Sequence, residues 1–196
     1  MTTLLKRYHV FLNNQPTEEL RLSKPNNLNT AYPIVQGRYY ANQLYSSPKE
    51  EQPIIFDQLL KQCENLNKSE FFFELIPTIL LLKKMDWIAI IFDNYYDEIF
   101  EINDANRLTH LGIFQIAQAL LFIKNRKYKR AANELKKVNI DLAFDSYIDY
   151  ITLFYLIAKY HLQEDKIGIK NQYIRLTNKV GFKIFSTEIL EDYFEH

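Results

Sequence analysis

The stretch GIFQIAQALLFIKNRKYKRAANELKKV, residues 112–138, contains the pattern that decides the fold. Its first half is apolar, a short polar segment follows at 124–127, and apolar residues then recur among charges. Apolar residues at three- and four-residue steps on both sides of a polar break are typical of two helices joined by a turn. The stretch therefore predicts a helix-turn-helix unit.

The basic residues of this stretch fall on and after the predicted turn. Residues 120–138 carry seven Lys or Arg side chains against a single acid. Tyr128 and Ala131 are expected to face inward, which leaves the charges to solvent. The alternatives are a patch for a protein partner, with Lys127 and Arg130 as contact candidates, and a nucleic-acid site. A nucleic-acid site would need further basic residues and exposed aromatic side chains, and neither is evident in the sequence.

The same pattern recurs twice elsewhere in the chain. Segments that begin at Phe71, Gly112 and Ile151 align without gaps, and each has a small residue in an apolar helix ahead of a polar loop. The small residues are Thr78, Ala119 and Ala158, and the apolar residues that open the next helix are Trp87, Tyr128 and Ile167. The small residues are 41 and 39 positions apart. This spacing predicts helix-turn-helix units stacked in series, because one pair of helices cannot bury its own apolar face.

The domain organisation follows from this period. We predict one repeat domain, 31–185, with units at about 31–66, 69–101, 104–140 and 144–180 and Ala41 as the small residue of the first unit. Residues 1–30 would form an N-terminal extension and residues 186–196 a capping helix. The predicted fold class is all-α, with stacked antiparallel helical hairpins that form a short α-solenoid.

The central unit resembles a tetratricopeptide repeat. The order and spacing of small, aromatic and apolar residues match that family at Ala119, Phe122, Tyr128, Ala131, Leu135 and Val138. The resemblance implies a right-handed helical solenoid, a fold that usually binds other proteins. It therefore favours a protein or a peptide as the partner.

Composition favours a folded, helical chain without a strong net field. Of its 196 residues 47% are hydrophobic, and only four Gly and six Pro are present for turns. Lys plus Arg equals Asp plus Glu, so no overall charge attracts nucleic acid or an anionic membrane. The one cysteine, Cys63, suits a reducing compartment, and neither a secretory signal nor a membrane span is predicted. We expect a cytoplasmic protein, and the abundance of Asn, Lys, Ile and Tyr indicates an AT-rich bacterial genome.

An acidic segment precedes the basic run. Residues 86–104 hold six acids and no Lys or Arg. Asp93, Asp97 and Glu101 stand at steps of four, so a continuous helix would carry an acidic stripe. This stripe is either a solvated face, or a site for a basic partner, or a complement of the basic segment 124–137. In the last interpretation the basic segment belongs either to the next hairpin of the same chain or to a second copy, and the second case would be self-association.

The sequence contains no recognised pattern for catalysis or cofactor binding. The four histidines, His9, His110, His161 and His196, include no pair at the helical spacing that zinc enzymes use, and the four glycines form no phosphate-binding loop. A nucleophile motif is also missing. We predict no catalytic residue, no metal site and no cofactor.

The first helix of each unit supplies candidates for a partner-binding groove. Its concave side would carry Phe72, Leu75, Ile79 and Leu82, then Ile113, Ile116, Leu120 and Ile123, and finally Thr152, Tyr155, Lys159 and Leu162. These residues are mostly apolar. They line either a groove that accepts an apolar helix or peptide, or the interior of a short array that closes on itself.

The predicted function is a non-catalytic module for protein–protein interaction, such as an adaptor, a scaffold or an accessory protein. The candidate contacts are Ile113, Ile116, Leu120, Tyr155, Lys159, Asp93, Asp97, Glu101, Lys127 and Arg130. The expected partner is another protein or peptide, and neither nucleic acid nor a membrane is expected. A peptide-responsive regulator of the helical-repeat receptor type and an enzyme on a helical scaffold are the alternatives. The regulator would need a DNA-binding helix-turn-helix, and residues 1–30 show no such pattern.

Overall fold

The protein is α-helical throughout the part of the chain that its computed structural model describes, namely residues 32–100, 108–138, 145–163, 165–178 and 194. In these ranges no β-strand occurs, which confirms the predicted all-α class. The helices are α1 Pro33–Ser46, α2 Gln52–Gln62, α3 Lys68–Leu81, α4 Met85–Phe100, α5 Leu108–Lys124, α6 Tyr128–Lys136, α7 Asp145–Leu162 and α8 Lys166–Thr177.

Prolines and side-chain caps fix where several of these helices begin. α1 and α2 each have a proline within their first two positions, where the missing backbone N–H has no intrahelical partner to lose. The Asn67 side chain accepts the backbone N–H of Glu70 at 3.0 Å and caps α3. Asp165 caps α8 in the same way, because its Oδ1 accepts the backbone N–H of Gly168 at 3.0 Å.

The chain divides into two compact units, Met1–Glu101 with α1 to α4 and Ile102–His196 with α5 to α8. The predicted repeat domain 31–185 therefore spans two units. Each of its four predicted segments contains one pair of consecutive helices, except that α3 begins one residue early. The predicted N-terminal extension and the predicted capping helix, apart from Phe194, lie outside the described residues.

In the first unit, α3 is the central helix and packs against both α1 and α4. The backbones of α1 and α3 approach so closely that a Cβ at Gly37 would overlap the carbonyl oxygen of Phe71. Beside this crossing the Arg38 guanidinium donates to Glu74 Oε1 at 2.7 Å. Ala41, the small residue predicted for this unit, is also buried, but Gly37 is the residue that permits the close approach.

In the second unit, α5 is the central helix and packs against α6 and α7. All nine residues 112–120 are buried, so the helix has no solvent-facing side along this stretch. A helix that is apolar on all sides belongs in an interior. α7 in turn packs against α6 and α8 as well as α5, but unlike the stretch 112–120 of α5 it has exposed residues, Thr152 and Leu162.

The turns from α3 to α4 and from α5 to α6 have the same backbone geometry. Lys83 and Arg126 both adopt positive φ, 60° and 58°. In the first turn the N–H of Lys84 donates to Ile79 O at 3.1 Å, and in the second the N–H of Lys127 donates to Phe122 O at 2.7 Å. This is the Schellman arrangement, which closes a helix through one residue in the left-handed region. Glycine usually occupies that place, so both turns accept a lysine or an arginine at some cost in backbone strain.

These turns correct the predicted register of the repeat. Lys83 and Arg126 are 43 positions apart, whereas the gapless alignment requires 41. The second helices begin at Met85, Tyr128 and Lys166, so Trp87 and Ile167 do not open theirs. Thr78, Ala119 and Ala158 are all buried, yet they precede those starts by seven, nine and eight residues. The small residues therefore occupy non-equivalent positions, because the helices of successive pairs differ in length.

We predict that Gly37→Ala lowers the free energy of unfolding of the first unit by about 2 kcal/mol. The added methyl group overlaps the backbone of α3, which cannot move aside as a side chain can, and this outweighs the gain of about 1 kcal/mol in helix propensity. Urea titration followed by fluorescence measures the change, because the single tryptophan, Trp87, stacks on Phe56 at 4.4 Å within this unit.

Gln43→Ala, also in α1, is the control and should change the stability by less than about 0.5 kcal/mol. A Gly37→Ala protein as stable as the wild type would contradict the described crossing of α1 and α3.

Candidate functional site

The apolar candidates for a binding groove lie in the core of the structure. Ile113, Ile116 and Leu120 of α5 are at most 3% exposed, and Ile123 is also buried. The corresponding residues of α3, Phe72, Leu75 and Ile79, are fully buried, whereas Leu82 is half-buried. Of the two alternatives, an open groove and an interior, the interior fits the residues of α3 and α5. Their apolar side chains are therefore not available to a partner at the surface.

The candidates on α7 differ in their exposure. Thr152 and Leu162 are exposed, whereas Tyr155 and Lys159 are half-buried. The Lys136 ammonium lies 5.8 Å from the centre of the Tyr155 ring, so a cation–π contact joins α6 to α7 there. Tyr155 therefore contributes to the packing of this unit.

The outward face of α6 is entirely polar and carries only positive charge. Its exposed residues are Lys129, Arg130, Asn133, Lys136 and, at the C-cap, Lys137, and we call this set the basic stripe. Glu134, the one acid of the helix, is buried and accepts from Lys137 Nζ at 2.8 Å. Lys127 is exposed just before the helix, Tyr128 is half-buried and Ala131 is fully buried, as the helical period predicts.

The acidic residues of α4 are exposed but do not form one continuous stripe. Tyr95 has non-helical angles, φ −132° and ψ 23°, so α4 consists of two helical segments that meet at a kink. Asp93 lies before the kink and Asp97 after it, which corrects the prediction that a regular helix aligns them. Glu101 lies outside the described residues. Asp93 and Asp97 are exposed and have no ion-pair partner in the part of the chain that the structure describes.

A buried lysine faces the kink in α4. The Lys68 side chain is only 4% exposed, and its Nζ donates to the carbonyl oxygens of Glu64 at 2.9 Å and Leu66 at 3.1 Å. The same nitrogen lies 3.2 Å from Glu98 Oε2 and 5.2 Å from the centre of the Tyr95 ring. Lys68 thus connects the chain after α2 to the kink residue Tyr95 and to Glu98 beyond it.

The only cysteine belongs to the same cluster. Cys63 is buried, its Sγ donates to the carbonyl oxygen of Leu60 at 3.2 Å, and a side-chain hydrogen bond joins it to Tyr95. Burial raises the pKa of the Cys63 thiol, although the Tyr95 hydrogen bond and the Lys68 charge oppose that rise. Burial also raises the pKa of the Tyr95 hydroxyl, and the hydrogen bond to Cys63 adds to this effect. Both groups therefore stay protonated near neutral pH, and a protonated thiol is a poor nucleophile.

His161 packs among aromatic side chains in the described part of the second unit. Its ring stacks on Tyr128 with the centroids 4.0 Å apart, and it meets Tyr160 edge to face at 5.2 Å. Phe194 continues this aromatic series against Tyr160 and Tyr173. These contacts give His161 a place in the packing of α6, α7 and α8. Among the described residues no group of three or more His, Cys, Asp or Glu side chains converges as a metal site would require.

Comparison of the chain with family models, with curated proteins and with solved structures finds no match in any of the three. Within the described ranges no helix is both long enough and apolar enough to cross a membrane. The charged and apolar side chains on the exposed helix faces are therefore the features that bear on function.

Two features of the structure were missed by the sequence analysis. The Lys68 cluster depends on side chains that are far apart in the sequence, and no local pattern indicates that a lysine is buried. The outward face of α8 carries two exposed isoleucines, Ile167 and Ile174. Their spacing of seven residues, two helical turns, is a signal that could have been read from the sequence.

We predict that Lys68→Met lowers the free energy of unfolding of the first unit by about 2 kcal/mol. The substitution keeps the length of the side chain but leaves the carbonyl oxygens of Glu64 and Leu66 without their donor. Trp87 fluorescence during urea unfolding measures the change.

Glu98→Gln is the matched control for the ion pair. Glu98 is 56% exposed, and ion pairs that contact solvent contribute at most about 1 kcal/mol, so the control should cost less than Lys68→Met. An equal or larger loss in Glu98→Gln would show that the ion pair, and not the carbonyl contacts, is the main role of Lys68.

Proposed function

We propose that this protein is a non-catalytic module for protein–protein interaction and that the basic stripe on α6 binds an acidic segment of a partner polypeptide. The observation that carries this proposal is the basic stripe itself, which presents four cations on one short helix with no exposed acid among them. A surface of one sign accelerates the encounter with a partner of opposite charge and disfavours partners of like charge.

The local geometry supports binding at an outer face. The inward face of α6 is used by Ala131 and Leu135 in the core, and α5 is buried along residues 112–120. The helix can therefore hold its exposed cations in fixed relative positions. Lys129 and Lys136, two turns apart on the helix, lie about 10 Å apart along its axis, a distance that an extended acidic peptide covers with three or four residues.

The arrangement of the helices is part of the same proposal. We propose that the consecutive helix pairs within each unit are antiparallel hairpins stacked as in a tetratricopeptide-like solenoid. Two observations support this proposal, namely the identical turns at Lys83 and Arg126 and the contacts of α5 with both α6 and α7. Burial keeps the Cys63 thiol protonated by raising its pKa more than Tyr95 and Lys68 lower it, which is in keeping with the proposed non-catalytic, cytoplasmic protein.

The test is binding of a fluorescent synthetic peptide rich in Glu and Asp, measured by anisotropy. We expect saturable binding that weakens as salt is added, because exposed charges are screened. The variant Lys129→Glu with Arg130→Glu should weaken binding about tenfold or more, since two attractive contacts become repulsive.

Lys49→Glu with Lys61→Glu is the control, because it makes the same change in net charge at two exposed positions of the first unit. It should alter the affinity by less than about twofold. An equal loss in both variants would show a general charge effect and contradict the proposal. Tighter binding of a single-stranded oligonucleotide than of the peptide would also contradict it and favour nucleic acid as the partner.

A further inference from the structure

The outward face of α8 combines apolar and basic side chains. Its exposed residues include Ile167, Lys170, Asn171, Ile174 and Arg175, and we call these five residues the α8 outer face. Ile167 is 79% exposed and Ile174 is 45% exposed, and they lie two turns apart on one side of the helix. The opposite side, with Ile169 and Tyr173, is buried against the rest of the unit.

Single exposed apolar residues are ordinary in proteins, but the α8 outer face has two that are aligned and flanked by cations. Two aligned apolar residues flanked by cations are expected at an interface in which the partner supplies apolar contacts at the centre and acidic residues around them. The basic stripe on α6 lacks this feature, because all of its exposed side chains are polar.

Exposed residues on the two sides of the kink in α4 have the complementary chemistry. Ile90 is 40% exposed and Tyr96 is 43% exposed, and next to them lie the acids Asp93 and Asp97. We call these four residues the acidic patch. Ile90 and Asp93 share a helix face through their three-residue spacing, and Tyr96 and Asp97 follow directly after the kink at Tyr95.

We propose that the α8 outer face of one copy of this chain docks on the acidic patch of a second copy. This inference rests on the proposed function and names one partner, a second copy, at a different face from the basic stripe. Ile167 and Ile174 would contact Ile90 and Tyr96, while Lys170 and Arg175 would face Asp93 and Asp97. The contact is head to tail, because the two faces differ.

The basic stripe is the competing surface for the acidic patch, and the apolar residues decide between them. Docking the acidic patch on α6 would set Ile90 and Tyr96 against lysine, arginine and asparagine side chains. Docking it on α8 removes apolar surface of both partners from water in addition to pairing their charges. One helix-on-helix contact is small beside the roughly 1,200–2,000 Å² buried in a stable complex, so the association should be weak and depend on concentration.

The experiment is sedimentation velocity of the full chain over a wide range of protein concentration. We expect the wild-type sedimentation coefficient to rise with concentration. The variants Asp93→Lys with Asp97→Lys, and Lys170→Glu with Arg175→Glu, should each stay monomeric, because in each of them the two faces carry the same charge.

Mixing these two variants provides the decisive measurement. One then carries basic residues at both faces and the other acidic residues at both faces, so each face again meets its opposite and association should return. Ile167→Asn with Ile174→Asn tests the apolar part and should weaken self-association about tenfold or more. Lys49→Glu with Lys61→Glu, which changes the charge outside both faces, should associate as the wild type does.

Several results would overturn the inference. A wild-type chain that stays monomeric at every concentration would be one, and a mixture of the two variants that fails to associate would be another. A third would be association that is lost in Lys129→Glu with Arg130→Glu but kept in Lys170→Glu with Arg175→Glu. Binding of the monomeric chain to vesicles of anionic lipid, abolished by Ile167→Asn with Ile174→Asn, would also overturn it and assign the α8 outer face to a membrane surface.

Failure of this inference can be told apart from failure of the proposed function. The variant Ile167→Asn with Ile174→Asn changes no charge and leaves the basic stripe intact, so its binding of the acidic peptide, at concentrations where it is monomeric, tests the proposed function without self-association. Peptide binding by a chain that never self-associates would contradict the second copy as partner and leave the proposed function standing.

Discussion

Burial of one central helix in each unit is the constraint on which the rest of the structure depends. α3 and α5 carry apolar side chains on almost all sides, and such helices are stable in water only if neighbours surround them. α1 and α4 pack on α3, and α6 and α7 pack on α5, so the inward faces of these neighbours are fully used. What remains for other molecules is the set of outward faces, and these differ in charge from one helix to the next.

The features that hold the central helices in place are local and specific. Gly37 lets the backbone of α1 reach that of α3, and no side chain of any size could take its place without moving one helix. Lys68 donates to two carbonyl oxygens and pairs with the Glu98 carboxylate beside the kink of α4. Lys83 and Arg126 close their turns with positive φ, which places long, charged side chains at positions where glycine is usual.

The sequence was sufficient to predict the helices and the polar outer face of α6, but it could not assign every apolar face. Periodicity identifies which residues of a helix share a side, and for Tyr128 and Ala131 it also indicated the buried side because charges mark the other. On α5 no charge marks a solvent side, so Ile113 and Leu120 fitted an open groove as well as an interior. The kink at Tyr95, which lies between Asp93 and Asp97, has neither Pro nor Gly as a local signal. The residues that contact Tyr95 there, Cys63 and Lys68, are distant in sequence. The repeat register was wrong by two residues between the pair α3–α4 and the pair α5–α6, because an alignment without gaps assumes helices of equal length.

The central claim is that the apolar residues of α5 are interior while those on the outward faces of α4 and α8 are available to partners. Hydroxyl-radical footprinting read by mass spectrometry, on dilute monomeric protein, tests it most directly because it measures the accessibility of individual side chains. The structure predicts rapid oxidation at Ile167, Ile174 and Tyr96 and protection of Ile113, Ile116 and Leu120 until the chain unfolds. Oxidation of the three α5 residues in the native protein, at rates comparable to Ile167, would contradict it.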